Sequence, residues 1–335
     1  MAETKNKGNE WVPKPPTKSQ ISFAAEAQCG RNEAVQETFP ATYDLGGDLP
    51  SLKDLTVYRC PRDKARKIDL VLLSVGGNDV GFARLVANAV LSDQSSLKML
   101  GGWMGHVHGA KEATPGLQQL DLRYKALNRA LRNILHIPWG ESDRIILSAY
   151  PPLAIMEDGK SICPDGRGGM SVYPDFTFNS QRAGEGEQVA AKLHEGMVRA
   201  AGNYGWAFAQ RHRTMFNGHG MCAASDDTNI NPQDDLRFPI KVNDEWHPFN
   251  PADYRPYAPR ARWFRTPNDA YLTGNFHLSA TVAHQLQKFK SLVWVQLLLA
   301  STYSGAFHPT AEGHAVIADS VLEKAREVLT KYDTR

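Results

Sequence analysis

The chain predicts an α/β fold: a doubly wound, mostly parallel sheet with helices on both faces. Three observations carry that expectation. "IDLVLLSV" (Ile68 to Val75) is an unbroken apolar run, as in a strand buried on both faces. Apolar stripes at helical spacing alternate with further short apolar runs along the chain. A length of 335 residues with 42% hydrophobic content is enough to fill such a core.

The elements follow in order. Residues 1–19 hold Pro13, Pro15 and Pro16 among Lys, Asn and Glu, a composition that cannot repay the entropy of ordering, and are expected to form a flexible arm. One domain is expected over 20–335. "QISFAAEAQCG" reads as a strand ending at Gly30. After "IDLVLLSV" a helix is marked by Phe82, Leu85, Val86, Ala89 and Val90. The next is marked by Thr114 and Pro115 at its start and by Leu117, Leu120, Tyr124, Leu127, Leu131 and Ile134 along one side. "RIILSAYPP" is a strand stopped by two prolines. Glu185 to Ala201 is a helix closing at Gly202, and "GWAFA" is a further strand. From about 226 to 276 periodicity is lost in a stretch dense in Pro, aromatic and Arg residues, expected to be a long irregular insertion. A helix is expected over about 278–300. A last one carries Ile317, Val321, Ala325 and Val328, with Thr310 placed to cap it.

Several classes are set aside. The net charge is +2 with Lys and Arg spread along the chain, which gives no basic face for nucleic acid. "SLVWVQLLLA" is too short to span a bilayer, and the N-terminus has no apolar leader segment. His106 and His108 lack a carboxylate or cysteine to complete a metal site, so no metal and no cofactor is expected. Cys29, Cys60, Cys163 and Cys222 contain no CxxC pair. Four buried thiols and two disulfides both fit. The preferred pairing, Cys29 with Cys60 and Cys163 with Cys222, is one of three connectivities. Oligomeric state is not legible.

Two places could carry chemistry. Asn78 follows the "IDLVLLSV" strand in a glycine-rich loop, and the carboxyl end of a parallel strand is where α/β proteins place their sites. Its amide N–H groups could stabilise an oxyanion. An Asn-Asp turn bonding its own backbone is the plainer reading. His308 sits just before the last helix, where an imidazole could act as general base, although a lone His-Pro is ordinary loop chemistry.

Taken together, "SVGGNDVGF" and "AFHPTAEGH" resemble the third and fifth blocks of the SGNH, or GDSL, hydrolase family, over a span from about residue 20 to the last helix. The resemblance implies a flavodoxin-like fold and a carboxylic ester hydrolase acting on a carbohydrate or lipid ester through a Ser-His mechanism. It makes Asn78 the oxyanion amide and His308 the base. "AEAQCG" is similar to the second block, which makes Gly30 a second oxyanion donor. "FNGHGMCA" around His219 and Cys222 resembles segments of secreted bacterial members, and a secreted or periplasmic location is implied.

This sequence departs from the pattern twice. Gly305 stands where the family carries an Asp three residues before the His, so no acid orients the ring from that position; some members of the family use a backbone carbonyl there, which keeps a Ser-His dyad physically reasonable. No Gly-Asp-Ser-Leu block precedes Gly30; "GGDLPSL" has Leu49 where Ser is required, and Ser22 and Ser74 lie inside strand-like runs. The first strand is therefore expected to be missing. Either the chain is an N-terminally truncated piece of a longer hydrolase, or "QISFAAEA" pairs directly with "IDLVLLSV". The 335 residues alone are expected to be inactive. The other class is a degenerate, non-catalytic hydrolase that binds an acylated glycan or lipid. For either, Trp246, Tyr257, Trp263 and Arg262 of the insertion are the candidate substrate contacts, with packing of the insertion by its own aromatics as the alternative.

Overall fold

The structure is a computed structural model that describes residues 3–5, 11–13, 19–39, 55–92, 109–166, 170, 176–223, 240–242, 245–247, 261–267, 269–270 and 305–333. In chain order its elements are β1 (Glu3–Lys5), β2 (Trp11–Pro13), α1 (Gln20–Cys29), β3 (Val35–Phe39), β4 (Leu55–Arg59), β5 (Val71–Leu73), α2 (Phe82–Val90), α3 (Thr114–Leu135), β6 (Ile145–Ser148), α4 (Ser180–Tyr204), β7 (Ala207–Ala209), α5 (His212–Met215), β8 (Ile240–Val242), β9 (Glu245–His247) and α6 (Ala311–Asp333). Short 3-10 turns lie at Asn78–Val80 and Trp139–Arg144.

The fold is α/β. A parallel sheet runs in the order β5-β6-β7, with Val71 opposite Ile145 and Ile146 opposite Ala207. Every residue of β6 is buried, as a central strand between two helical layers requires. Ile145 and Leu147 pack with Leu120, Leu131, Leu193 and Met197 of α3 and α4. Ile146 and Ala209 turn the other way, onto Ala325 of α6.

The helices run back against the strands. Helix α3 begins beside Asp79, whose carbonyl faces Gly116, and ends shortly before β6 starts. Helix α4 ends at Tyr204, just ahead of β7. Near the end of α6, Lys331 and Tyr332 donate to Asp143, two residues before β6. The N-termini of all three helices therefore gather at the carboxyl edge of the sheet.

Three expectations need correcting. Residues Gln20–Cys29 form a helix and not a strand: the Ser19 hydroxyl accepts from the Ser22 N–H, and Gly30 ends the helix at φ 64°. The misreading has a physical source, because the buried side of α1 is Ser22, Ala25, Gln28 and Cys29, which makes no apolar stripe. It follows that this segment does not pair with β5. Strand β5 itself is covered well on one face only: Leu72 is 60% exposed, and among the described residues nothing pairs with the outer edge of β5. Helix α4 is longer than expected and passes Gly202 to stop at Gly205, which is left-handed.

Antiparallel pairs decorate the domain. β1 pairs with β2 in the N-terminal arm, β3 with β4, and β8 with β9 inside the stretch expected to be irregular. The helix expected over 278–300 lies outside the described residues. Disulfides join Cys29 to Cys60 and Cys163 to Cys222.

Candidate active site

Asn78 and His308 come to the same edge of the sheet. Asn78 follows β5 directly, and His308 precedes α6, whose N-terminus lies at the carboxyl edge. Phe82, just after the Asn78 turn, and Phe307, just before His308, pack on one hydrophobic cluster with Phe216 and Phe264 at its heart. Both candidate side chains are exposed. Converging helix N-termini make this edge favourable for negative charge.

The Asn78 turn is gripped from α3. Gly76 adopts φ 120°, and a Cβ there would stand 2.4 Å from the Tyr124 hydroxyl, which donates to the Val75 carbonyl at 3.1 Å. Burial, with Asp79 and Tyr150 nearby, pushes the Tyr124 hydroxyl pKa far up, so it remains a donor. Arg123 pairs with Asp79. On the other side the Tyr150 ring lies against Gly77, 3.1 Å from where its Cβ would be. A turn fixed this way holds a side chain without needing the side chain's own hydrogen bonds.

His308 is set by its own loop and by the end of the insertion. The Ala306 carbonyl lies 3.0 Å from Nδ1 of the ring. A carbonyl only accepts, so Nδ1 carries the proton and the lone pair of the neutral ring is on Nε2, the tautomer a general base requires. Phe307 holds φ 64°, costly for a residue with a Cβ. The neighbouring segment balances that cost: Phe307 N–H donates to Arg265 O at 2.8 Å, and Arg265 N–H to His308 O at 2.9 Å. Thr310 N–H donates to Trp263 O at 2.8 Å, and Trp263 N–H to His219 O at 3.0 Å. The His219 ring stacks on Trp263 at 3.7 Å, and Cys222 ties that turn to Cys163.

Gly30 does not join them. Its N–H donates to Ala27 O at 3.3 Å, as a helix cap. Just before it, Gln28 donates to Leu135 O at the far end of α3. The rise of that helix puts Gly30 roughly 30 Å from the Asn78 turn. It lies at the amino edge of the sheet.

Of the insertion residues, Arg262 is 1% exposed and Trp263 is half-buried between His219 and Phe216. Trp246 lies in β9, paired opposite Lys241, and Tyr257 lies outside the described residues. Sequence reasoning passed over Tyr124, Arg123 and Tyr150 as site-shaping residues. Tyr124 was visible only as one more apolar position of a helix. Among the described residues no group of His, Cys, Asp or Glu could hold a metal ion, and no helix is long and apolar enough to cross a membrane.

No protein-family model matches the chain, and no curated protein matches it. Solved structures that are similar in part include two from Streptomyces. Phospholipase A1 from Streptomyces albidoflavus NA297 is 16% identical with a TM-score of 0.27, over 54% of this chain and 62% of that one. An extracellular lipase from Streptomyces rimosus is 19% identical with a TM-score of 0.30, over 58% and 63%. The chain thus spans about three fifths of the length of these structures. Likeness at such scores carries no weight for function, and the residues themselves must.

Proposed function

We propose that the carboxyl edge of this sheet is the oxyanion-and-base half of an SGNH-type carboxylic ester hydrolase. Asn78 donates to the oxyanion, and His308 is the base. The observation that carries this reading is the Nδ1 anchor on Ala306 O, which leaves a basic Nε2 on an exposed ring at the same edge as an exposed Asn. In that role His308 takes a hydroxyl proton on Nε2 as the hydroxyl oxygen attacks the ester carbonyl. The Asn78 amide then offsets the negative charge that develops on the carbonyl oxygen. A carbohydrate or lipid ester is the proposed substrate class.

A second reading, a non-catalytic binder of acylated glycans or lipids, is favoured by one observation: among the described residues no serine hydroxyl bonds to His308. Hydrolysis of 4-nitrophenyl butyrate, with His308→Ala as control, and labelling by a fluorophosphonate separate the two. Turnover lost in His308→Ala, with one serine labelled, supports the hydrolase and identifies its nucleophile. Absence of both supports the binder. Turnover that survives His308→Ala overturns the assignment of the base. Long-range proton–nitrogen correlation spectra are expected to show His308 as the Nδ1–H tautomer.

A further inference from the structure

We propose that Glu187 of α4 is a positioning residue for the Asn78 turn, acting through the segment after β6 and the ring of Tyr150; this rests on the reading of Asn78 as the oxyanion donor.

The segment is Ala149, Tyr150, Pro151, Pro152, Leu153, Ala154. Its two prolines have no N–H, so the first donors after Tyr150 belong to Leu153 and Ala154. Both converge on one oxygen, Oε1 of Glu187, at 2.8 and 2.7 Å. Two consecutive N–H groups aimed at one point form a small anion cradle, for which a carboxylate is the strongest acceptor. The same segment is held at its start by its carbonyls: His212 Nε2 lies 2.9 Å from Ala149 O, and Arg213 donates to Tyr150 O. Further along, Met221 N–H reaches Leu153 O at 2.8 Å and Cys163 N–H reaches Ala154 O at 2.9 Å.

All of these bonds fix main chain, and Tyr150 delivers the result. Its ring rests on Gly77, the residue before Asn78, and the Gly77 carbonyl accepts from Phe82 N–H at 3.0 Å to close the turn. The ring fills the space where a Cβ of residue 77 would stand, so it forms one wall of the turn. Keeping a carboxylate in this half-buried place has a cost. Burial raises the Glu187 carboxyl pKa, while the two amides and the Arg213 guanidinium oppose the rise. A residue needed only to fill space would not carry that cost.

The test uses the full chain, labelled with nitrogen-15 at asparagine, and reads the Asn78 side-chain amide signal together with hydrogen exchange of the Leu153 and Ala154 amides. In Glu187→Ala the exchange is expected to quicken about tenfold or more, as for one lost hydrogen bond, and the Asn78 signal is expected to move. Glu187→Gln keeps an acceptor and is expected to restore both. Tyr150→Leu, which leaves every main-chain bond in place, is expected to move the Asn78 signal without changing exchange. An Asn78 signal unmoved in Tyr150→Leu overturns the proposal, even where Glu187→Ala does not fold. So does a Glu187→Ala chain with loosened amides and an unmoved Asn78. Neither readout needs ester hydrolysis, so a failure of the hydrolase reading and a failure of this one remain distinct. Where hydrolysis is found, Glu187→Ala should lower kcat with KM unchanged.

Discussion

At the amino edge of the sheet, Cys29–Cys60 joins α1 to the end of β4; at the carboxyl edge, Cys163–Cys222 joins the loop after β6 to the turn carrying His219. Each edge has a histidine near its disulfide and a glycine at positive φ. What differs is where the polar groups point. At the amino edge they are spent inward: Gly30 caps α1, Gln28 donates to Leu135 O and Arg66 O, and the His136 ring is 2.7 Å from Cys60 O. At the carboxyl edge one ring nitrogen of His308 is anchored and the other is left. The helix ends differ as well. C-termini at the amino edge repel an anion and N-termini at the carboxyl edge attract one. Identical residue types thus make a clasp at one end and a candidate site at the other.

The largest test of that contrast is to cut each clasp. Loops of 31 and 59 residues are closed by the two bridges, so each double replacement with serine should cost about 4 kcal/mol by chain entropy. The costs should be similar in denaturant melts. Only Cys163→Ser/Cys222→Ser should disturb the His308 ring signals, because the ladder from His219 runs through Trp263 to Thr310, and Arg265 of the same segment donates to His308 O. Equal disturbance by Cys29→Ser/Cys60→Ser would erase the distinction.

A medium effect comes from adding single methyl groups. In Gly116→Ala the new Cβ would stand 2.1 Å from Asp79 O, so the Asn78 turn must yield, at about 1–3 kcal/mol. Gly30→Ala forces a side chain to φ 64° and ψ −112°, outside the left-handed helical region, at about 1–3 kcal/mol, with no clash around it. Both should lower thermal stability. Gly116→Ala alone should reduce any ester turnover, and a loss of turnover in Gly30→Ala would return Gly30 to the site.

The smallest effect is a pH dependence beneath the carboxyl edge. Burial, reinforced by Arg213, lowers the pKa of His194 and of His212. Groups depressed in the folded state add stability that is whole above about pH 6.5 and fades as pH falls through their folded values. Melting midpoints should drop below that pH. His212→Gln, which can still donate to Ala149 O, should flatten the drop; an unchanged slope would remove His212 from the account.

Much of the fold was legible because strands and helices here bury apolar side chains at their own periods. "RIILSAYPP" and the stripe from Leu117 to Ile134 needed no tertiary knowledge. Helix α1 was not legible, since what it buries is a serine, an alanine, a glutamine and a cysteine already in a disulfide. The same gap hid Glu187 and Tyr150, which act through main-chain amides and a bare ring face that no local pattern marks.

By itself the sequence determined the α/β alternation and placed Asn78 after a strand and His308 before a helix, because propensity, periodicity and caps act over a few residues. Tertiary structure decided which edge each loop occupies, that Gly30 lies at the edge opposite Asn78 and His308, and that Ala306 O fixes the ring of His308. Those facts depend on helix direction and on contacts between residues far apart in the chain, and no local preference encodes them.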